Sequence, residues 1–238
     1  MKSTEFITES INDAGIFKAI FLAGLPGAGK SSIISKVTDG AIEPQVINTD
    51  RTYEFLLNKN NTTADATAWE LFGPRSKVMN KGVLYNAING MRPMFIDGTS
   101  ANSGSLIRRS GLLESLGYDV AMIYVNTDLE TAIDRISKRE RHVDTDFVQH
   151  VYDDIEANKA FYKSKYSNFI EVDNNSDNFS AVESKTYNAS NSFFMSNINN
   201  PIGNKNINTL QQANEAYLVP QIYTAEYIKK VIDTWYQN

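Results

Sequence analysis

An apolar run that breaks into a glycine-rich turn and then Lys-Ser leaves a chain few ways to fold. Residues 21–32 read FLAGLPGAGKSS, and Gly24-Leu25-Pro26-Gly27-Ala28-Gly29-Lys30-Ser31 matches G-x-x-x-x-G-K-[ST] at every fixed position. The preceding segment 16–24 reads as a buried strand, and 30–37 as the helix that follows. In that context the glycines let backbone N–H groups converge on phosphate oxygens, and the helix N-terminus favours the same charge. Lys30 is expected to reach the β- and γ-phosphates and Ser31 to bind magnesium, with Ser32 completing the nucleotide-binding set. The expected ligands are ATP and Mg²⁺.

Beyond the loop, short apolar runs alternate with helical periodicity. Strands are expected at 44–48, 93–97, 119–125 and 168–172, with helices after 50, over 65–89, 104–116 and 129–140, and ahead of the last strand. This alternation predicts a three-layer α/β fold of the P-loop NTPase type with a five-stranded parallel sheet, plus a C-terminal extension. The expected divisions are an N-terminal leader or helix (1–15), a kinase-like core (16–173), an irregular extension (174–223) and a C-terminal helix (224–238). Eleven of the residues in 174–208 are asparagine, and apolar periodicity fades there, hence the expectation of irregular structure. Tyr227, Ile228, Val231, Ile232 and Trp235 regain helical spacing and predict a helix docked on the core.

Composition closes several routes. With no cysteine there are no disulfides, thiolate metal sites or Cys nucleophiles, and two histidines, His142 and His150, are too few for a poly-His metal centre. A net charge of −5 gives no global footprint for nucleic acid, so a polyanion needs a local cluster. The chain lacks an apolar run long enough to span a bilayer, and no membrane partner and a cytoplasmic location are expected.

What lies opposite the γ-phosphate separates transferases from hydrolytic motors. The third strand ends MFIDGTS, so Asp97 is followed by Gly98 and lacks the adjacent Glu that a motor uses to polarise water. The second strand ends VINTDR and delivers Asp50 to the carboxyl edge of the sheet, where open α/β sheets bind ligands. An Asp there can take a proton from an attacking hydroxyl; it can also cap the next helix, and the two roles are compatible. Asp97 is expected to contact magnesium or the acceptor, with Thr99, Ser100 and Asn102 along the same edge.

Cations complete the expected site. Arg135, Arg139 and Arg141 sit at a helix end and in the turn after it, where arginines can close as a lid on transferring charge. A solvated basic last turn is the plainer alternative. Arg51 and Arg75 are acceptor-binding candidates, as are Lys77, Lys81, Arg92, Arg108 and Arg109 more loosely, although scattered surface cations are the commoner case. Tyr53, Trp69 and Phe72 can stack on a base, or form core at helical spacing. Residues 172–178 are expected near the adenine by position alone.

Taken in order, GLPGAGKSS, VINTD, FIDGTSANSGSLIRRSGLLESLGYDVAMIYV and AIDRISKRER resemble the zeta-toxin and polynucleotide-kinase branch of P-loop kinases over residues 17–173. The resemblance implies ATP-dependent transfer to a hydroxyl, with Lys30, Asp50 and the arginine lid as its core. The implied acceptor is a nucleic-acid end or nucleotide-like hydroxyl, with a UDP-sugar second. An inactive ATP-binding or virion-packaged protein is the alternative outside enzymes. Ala101 stands where zeta enzymes carry an arginine that helps hold the sugar nucleotide, and Tyr53 where polynucleotide kinases carry one. The leader MKSTEFITES resembles those of phage internal head proteins, with Ile7-Thr8-Glu9 before Ser10 as the cleavage sequence. That resemblance implies a phage-encoded protein in the host cytoplasm or the virion. The two resemblances imply an antitoxin-like or a capsid partner.

Overall fold

Parallel strands covered on both faces need near-continuous apolar runs, and β1 (Lys18–Ala23) is one, buried at all six residues. The computed structural model describes residues 15–38, 42–138, 143–175, 179–215 and 221–237. Strands β1, β2 (Gln45–Ile47), β3 (Met94–Ile96), β4 (Asp119–Asn126) and β5 (Asn168–Asp173) form one parallel sheet in the order β2-β3-β1-β4-β5. The expected α/β fold with a five-stranded parallel sheet is therefore present. Phe21, Leu22, Phe95, Met122 and Ile123 lie in one continuous core around the central strands.

Among the described residues the helices are α1 (Lys30–Thr38), α2 (Thr49–Lys59), α3 (Ala66–Asn89), α4 (Ser103–Ser115), α5 (Leu129–Ser137), α6 (Thr145–Lys165), α7 (Phe179–Met195), α8 (Pro201–Glu215) and α9 (Ala225–Trp235). Tyr53, Leu57, Ala68 and Phe72 close a small second core between α2 and α3. Tyr53 and Phe72, read as candidates for stacking on a base, are thus packing residues. Trp69 packs edge-on against Tyr53 at 5.1 Å and is half exposed.

The segment 174–223 corrects the sequence reading. It contains α7 and α8, and the asparagines do not make it irregular. Asparagine lowers helix propensity only by tenths of a kcal/mol, whereas Val182, Phe193, Phe194 and Leu210 are buried in the main core. One asparagine also starts α8. Asn200 Oδ1 accepts from the backbone N–H of Ile202 and Gly203, Pro201 occupies the first helical position, and Asn200 Nδ2 donates to the carbonyls of Glu114 and Tyr118. Gly203 then lies backbone to backbone against Gly117, whose φ is +93°.

A buried ion pair ties this extension to the sheet's amino edge. Lys18 is 1% exposed and donates to Asp119 Oδ2 (2.8 Å), Ser196 Oγ (3.0 Å) and the Asn197 carbonyl (2.9 Å). Its ammonium also lies 4.9 Å from the centre of the Phe193 ring. Asp119 accepts from the backbone N–H of Asn199 and Asn200. At the far end of the chain α9 docks as expected through Ile228, Val231, Ile232 and Trp235, against α3 and α4. Tyr227 is the exception on that side and stays half exposed. The candidate leader falls within residues 1–14, outside the described residues, as do Arg139 and Arg141.

Candidate active site

At the carboxyl end of β1 the chain turns through Gly24 (φ +148°), Gly27 (φ +85°) and Gly29 (φ +87°) before α1 begins at Lys30. A Cβ on Gly27 would stand 2.6 Å from the Ala132 carbonyl of α5, so close packing of the loop on that helix requires glycine. Lys30 Nζ donates to the Gly24 and Leu25 carbonyls at 2.8 Å each. Ser31 and Ser32 follow in the first turn of α1, exposed. The expected loop, Gly24 through Ser32, is formed as one strand-to-helix turn.

The end of β3 brings the Asp97 carboxylate within the influence of this lysine, and the chain after β2 brings Asp50 within the influence of Asp97. Asn48, just after β2, caps α2 by accepting from the N–H of Asp50 (2.7 Å) and Arg51 (3.2 Å). Asp50 is therefore not the cap and stands exposed in the first turn of α2. The same Asn48 donates from Nδ2 to Asp97 Oδ2 at 2.5 Å, and its backbone N–H donates to Asn80 Oδ1 on α3. One asparagine thus fixes both strand ends. Burial pushes the Asp97 carboxyl above its ordinary range, against the pull of Lys30 and the Asn48 hydrogen bond. Asp50 adds to that rise and Arg51 opposes it, so Lys30, Asp50 and Arg51 all act on Asp97 here.

Residues 97–102 then fold over the sheet edge. The Gly24 N–H donates to the Thr99 carbonyl (3.2 Å), joining this segment to the phosphate-binding loop. Ser100 adopts φ +58°, a left-handed conformation uncommon outside glycine. Its hydroxyl donates to the Leu22 carbonyl, and its own carbonyl accepts from Tyr162 at 2.6 Å. Burial, with Tyr166 and Asp154 adding to it, raises that tyrosine to about 12, which keeps it a donor. Asn102 caps α4. The segment bounds a cavity of about 230 Å³ with Phe21, Ile96 and Leu106 on its apolar side and Asp97, Thr99, Ser105 and Arg109 on its polar side.

Other predicted residues lie elsewhere. Arg135, in the last turn of α5, donates to the Asn174 carbonyl at 2.9 Å, and Asn174 Nδ2 donates to the Ala28 carbonyl at 2.8 Å. In this conformation Arg135 braces the phosphate-binding loop from behind. Arg75 is exposed on α3 and does not line the cavity. Asn48, Asn80 and Asn174 were not singled out by the sequence, although Asn48 stands at the right place for a helix cap ahead of Thr49.

For magnesium, the donors present are the Ser31 hydroxyl and the Asp97 carboxylate, both hard oxygens. No cluster of three or more His, Cys, Asp or Glu able to hold a metal occurs among the described residues. That set fits an ion held by one carboxylate and by nucleotide phosphates rather than by a protein cage. No helix among the described residues is long and apolar enough to cross a membrane.

A gluconokinase from Sinorhizobium meliloti 1021 superposes with a TM-score of 0.47 at 10% identity, over 74% of this chain and 92% of its own. A shikimate kinase from Bacteroides thetaiotaomicron gives 0.42 at 14% identity, over 72% and 94%. Likeness this shallow says nothing about substrate. No curated protein matches the chain. The family model described as zeta toxin matches residues 8–186. Because that match runs from ahead of β1 into α7, it takes in the whole sheet and every strand end described above: the chain is a P-loop kinase of the zeta toxin family.

Proposed function

We propose that the chain transfers the γ-phosphoryl group of ATP to an acceptor hydroxyl, with Asp50 as the base. The observation that carries this is the convergence of Lys30, Asp50 and Arg51 on Asp97, which lines a cavity. The loop amides and Lys30 hold the phosphates. A lone pair of the acceptor oxygen forms the new bond to the γ-phosphorus as the bond to the β–γ bridging oxygen breaks. The hydroxyl proton passes to the Asp50 carboxylate, and ADP leaves with the bridging electron pair. Ser31 and Asp97 are the residues that would hold magnesium, which supplies positive charge to the phosphate oxygens when bound. Asn48 orients both acids through its cap and its hydrogen bond to Asp97.

The test offers labelled ATP with 5′-hydroxyl DNA, 5′-hydroxyl RNA and UDP-sugars in parallel, to wild type and to Asp50→Ala. Transfer by wild type that drops about 10²–10⁴-fold in the variant supports the base. Undiminished transfer by Asp50→Ala removes that assignment. ATP binding by wild type with transfer to no acceptor, including the compounds below, makes the chain a nucleotide-binding protein instead.

A further inference from the structure

The cavity at the end of β3 is lined by two ionisable groups of opposite kind. Asp97, on which Lys30 and Asp50 act, is one. Arg109, on the second turn of α4, is the other, and no ion pair joins the two.

Arg109 is half-buried and has no carboxylate within ion-pair distance among the described residues. Its one hydrogen bond runs from Nε to the Trp235 carbonyl at 3.3 Å, and its guanidinium carbon lies 5.5 Å from the centre of the Trp235 ring. Trp235 is 2% exposed and stacks at 6.2 Å on Phe21, itself a wall of the cavity. The stem is therefore fixed while the two terminal nitrogens of the fork carry no hydrogen bond to any described residue. Burial disfavours the charge on this group, Tyr236 supports it, and the adjacent Arg108 opposes it. An arginine with a charged head, a fixed stem and open donors is suited to a planar oxyanion. Thr99, Asn102 and Ser105 line the same cavity with neutral polar groups, of the kind that hold a polyhydroxylated molecule.

We propose that Arg109 binds an anionic group of the acceptor, so that the compound phosphorylated here is a hydroxyl-bearing carboxylate or phosphate ester. This inference rests on the phosphoryl transfer proposed above and names the class of its substrate. The volume of about 230 Å³ lies below the roughly 300–1,000 Å³ of pockets that enclose drug-sized ligands, so the enclosed part is about one sugar unit. The cation is held by α9, at residues beyond the 8–186 range that matches the family. Specificity for the anion is thus written partly in the C-terminal helix.

The experiment measures binding without ATP, by calorimetry, so that its outcome is separate from catalysis. Each set pairs a neutral hydroxyl compound with anionic relatives on the same skeleton: glucose, glucuronate and glucose 6-phosphate; glycerol, glycerate and glycerol 3-phosphate; thymidine and thymidine 3′-phosphate. The expected result is that at least one anion binds at least tenfold more tightly than its neutral partner. The preferred anion then distinguishes a carboxylate from a sugar phosphate or a nucleotide. Arg109→Gln should weaken that anion about 10- to 100-fold and leave the neutral partner and ATP binding unchanged, with Arg109→Lys recovering part of the loss. Retained ATP binding shows that the variants are folded. Equal binding of neutral and charged partners, no binding by any compound, or an Arg109→Gln variant that binds the anion as wild type does overturns the proposal. Selective anion binding without any transfer from ATP leaves this site standing and instead removes the kinase reading.

Discussion

Replacing Lys18 with Met removes one partner of a pair that water scarcely reaches. Side-chain exposure is 1% for Lys18 and 9% for Asp119. All three ammonium protons are used, on Asp119, Ser196 and the Asn197 carbonyl. After the substitution Asp119 keeps two backbone donors, from Asn199 and Asn200, but has no cation. Breaking a buried pair from one side costs about 3–5 kcal/mol. The two surviving charge-assisted bonds place this case near the lower end, about 3 kcal/mol, or roughly a hundredfold in the unfolding equilibrium. Urea unfolding followed by far-ultraviolet circular dichroism should show it as a lower midpoint with an unchanged slope. The double variant Lys18→Met, Asp119→Leu should lose less than the sum of the two single changes, because it leaves no unpaired charge. A Lys18→Met loss under about 1 kcal/mol, or strict additivity in the double variant, would refute the claim that this pair pins the extension.

Three further outcomes are expected. Gly27→Ala places a methyl 2.6 Å from the Ala132 carbonyl at a φ of +85°, so ATP binding should weaken at least tenfold in a calorimetric titration. Asn48→Ala removes the cap of α2, worth about 1 kcal/mol, and the hydrogen bond to Asp97; its rate of transfer should fall more than its thermal stability does. Chelation of magnesium with EDTA should abolish transfer, and excess Mg²⁺ should restore it, because only Ser31 and Asp97 are offered as protein ligands.

The parts of this molecule that are legible in its sequence are those whose determinants lie close together in the chain. The loop from Gly24 to Ser32 carries strand, turn and helix within a dozen residues, and the sheet follows from apolar runs that announce their own burial. The helices α7 and α8 are hidden by an asparagine-rich composition, because the contacts that hold them are with the distant core. Asn200 starts α8 by bonding to Glu114 and Tyr118, more than 80 residues earlier, which no local pattern reveals. Asp50 is the cap candidate that the sequence offers for α2, whereas the geometry gives the cap to Asn48 and leaves Asp50 in the helix's first turn. Arg109 was visible only as one cation among several. What distinguishes it is Trp235, 126 residues later.

The contact between Phe21 and Trp235 also bears on how the molecule is made. These residues are 214 positions apart (235 − 21), so at about 5–20 residues per second the ribosome takes roughly 10–40 s to travel from one to the other. Through that interval a nascent chain can own its phosphate-binding loop while the wall behind Arg109 has not yet been synthesised. Ribosome-bound chains arrested before residue 225 should accordingly bind nucleotide and phosphorylate nothing, and transfer by such chains would contradict this order of assembly. Translation itself would then delay the enzyme's first turnover.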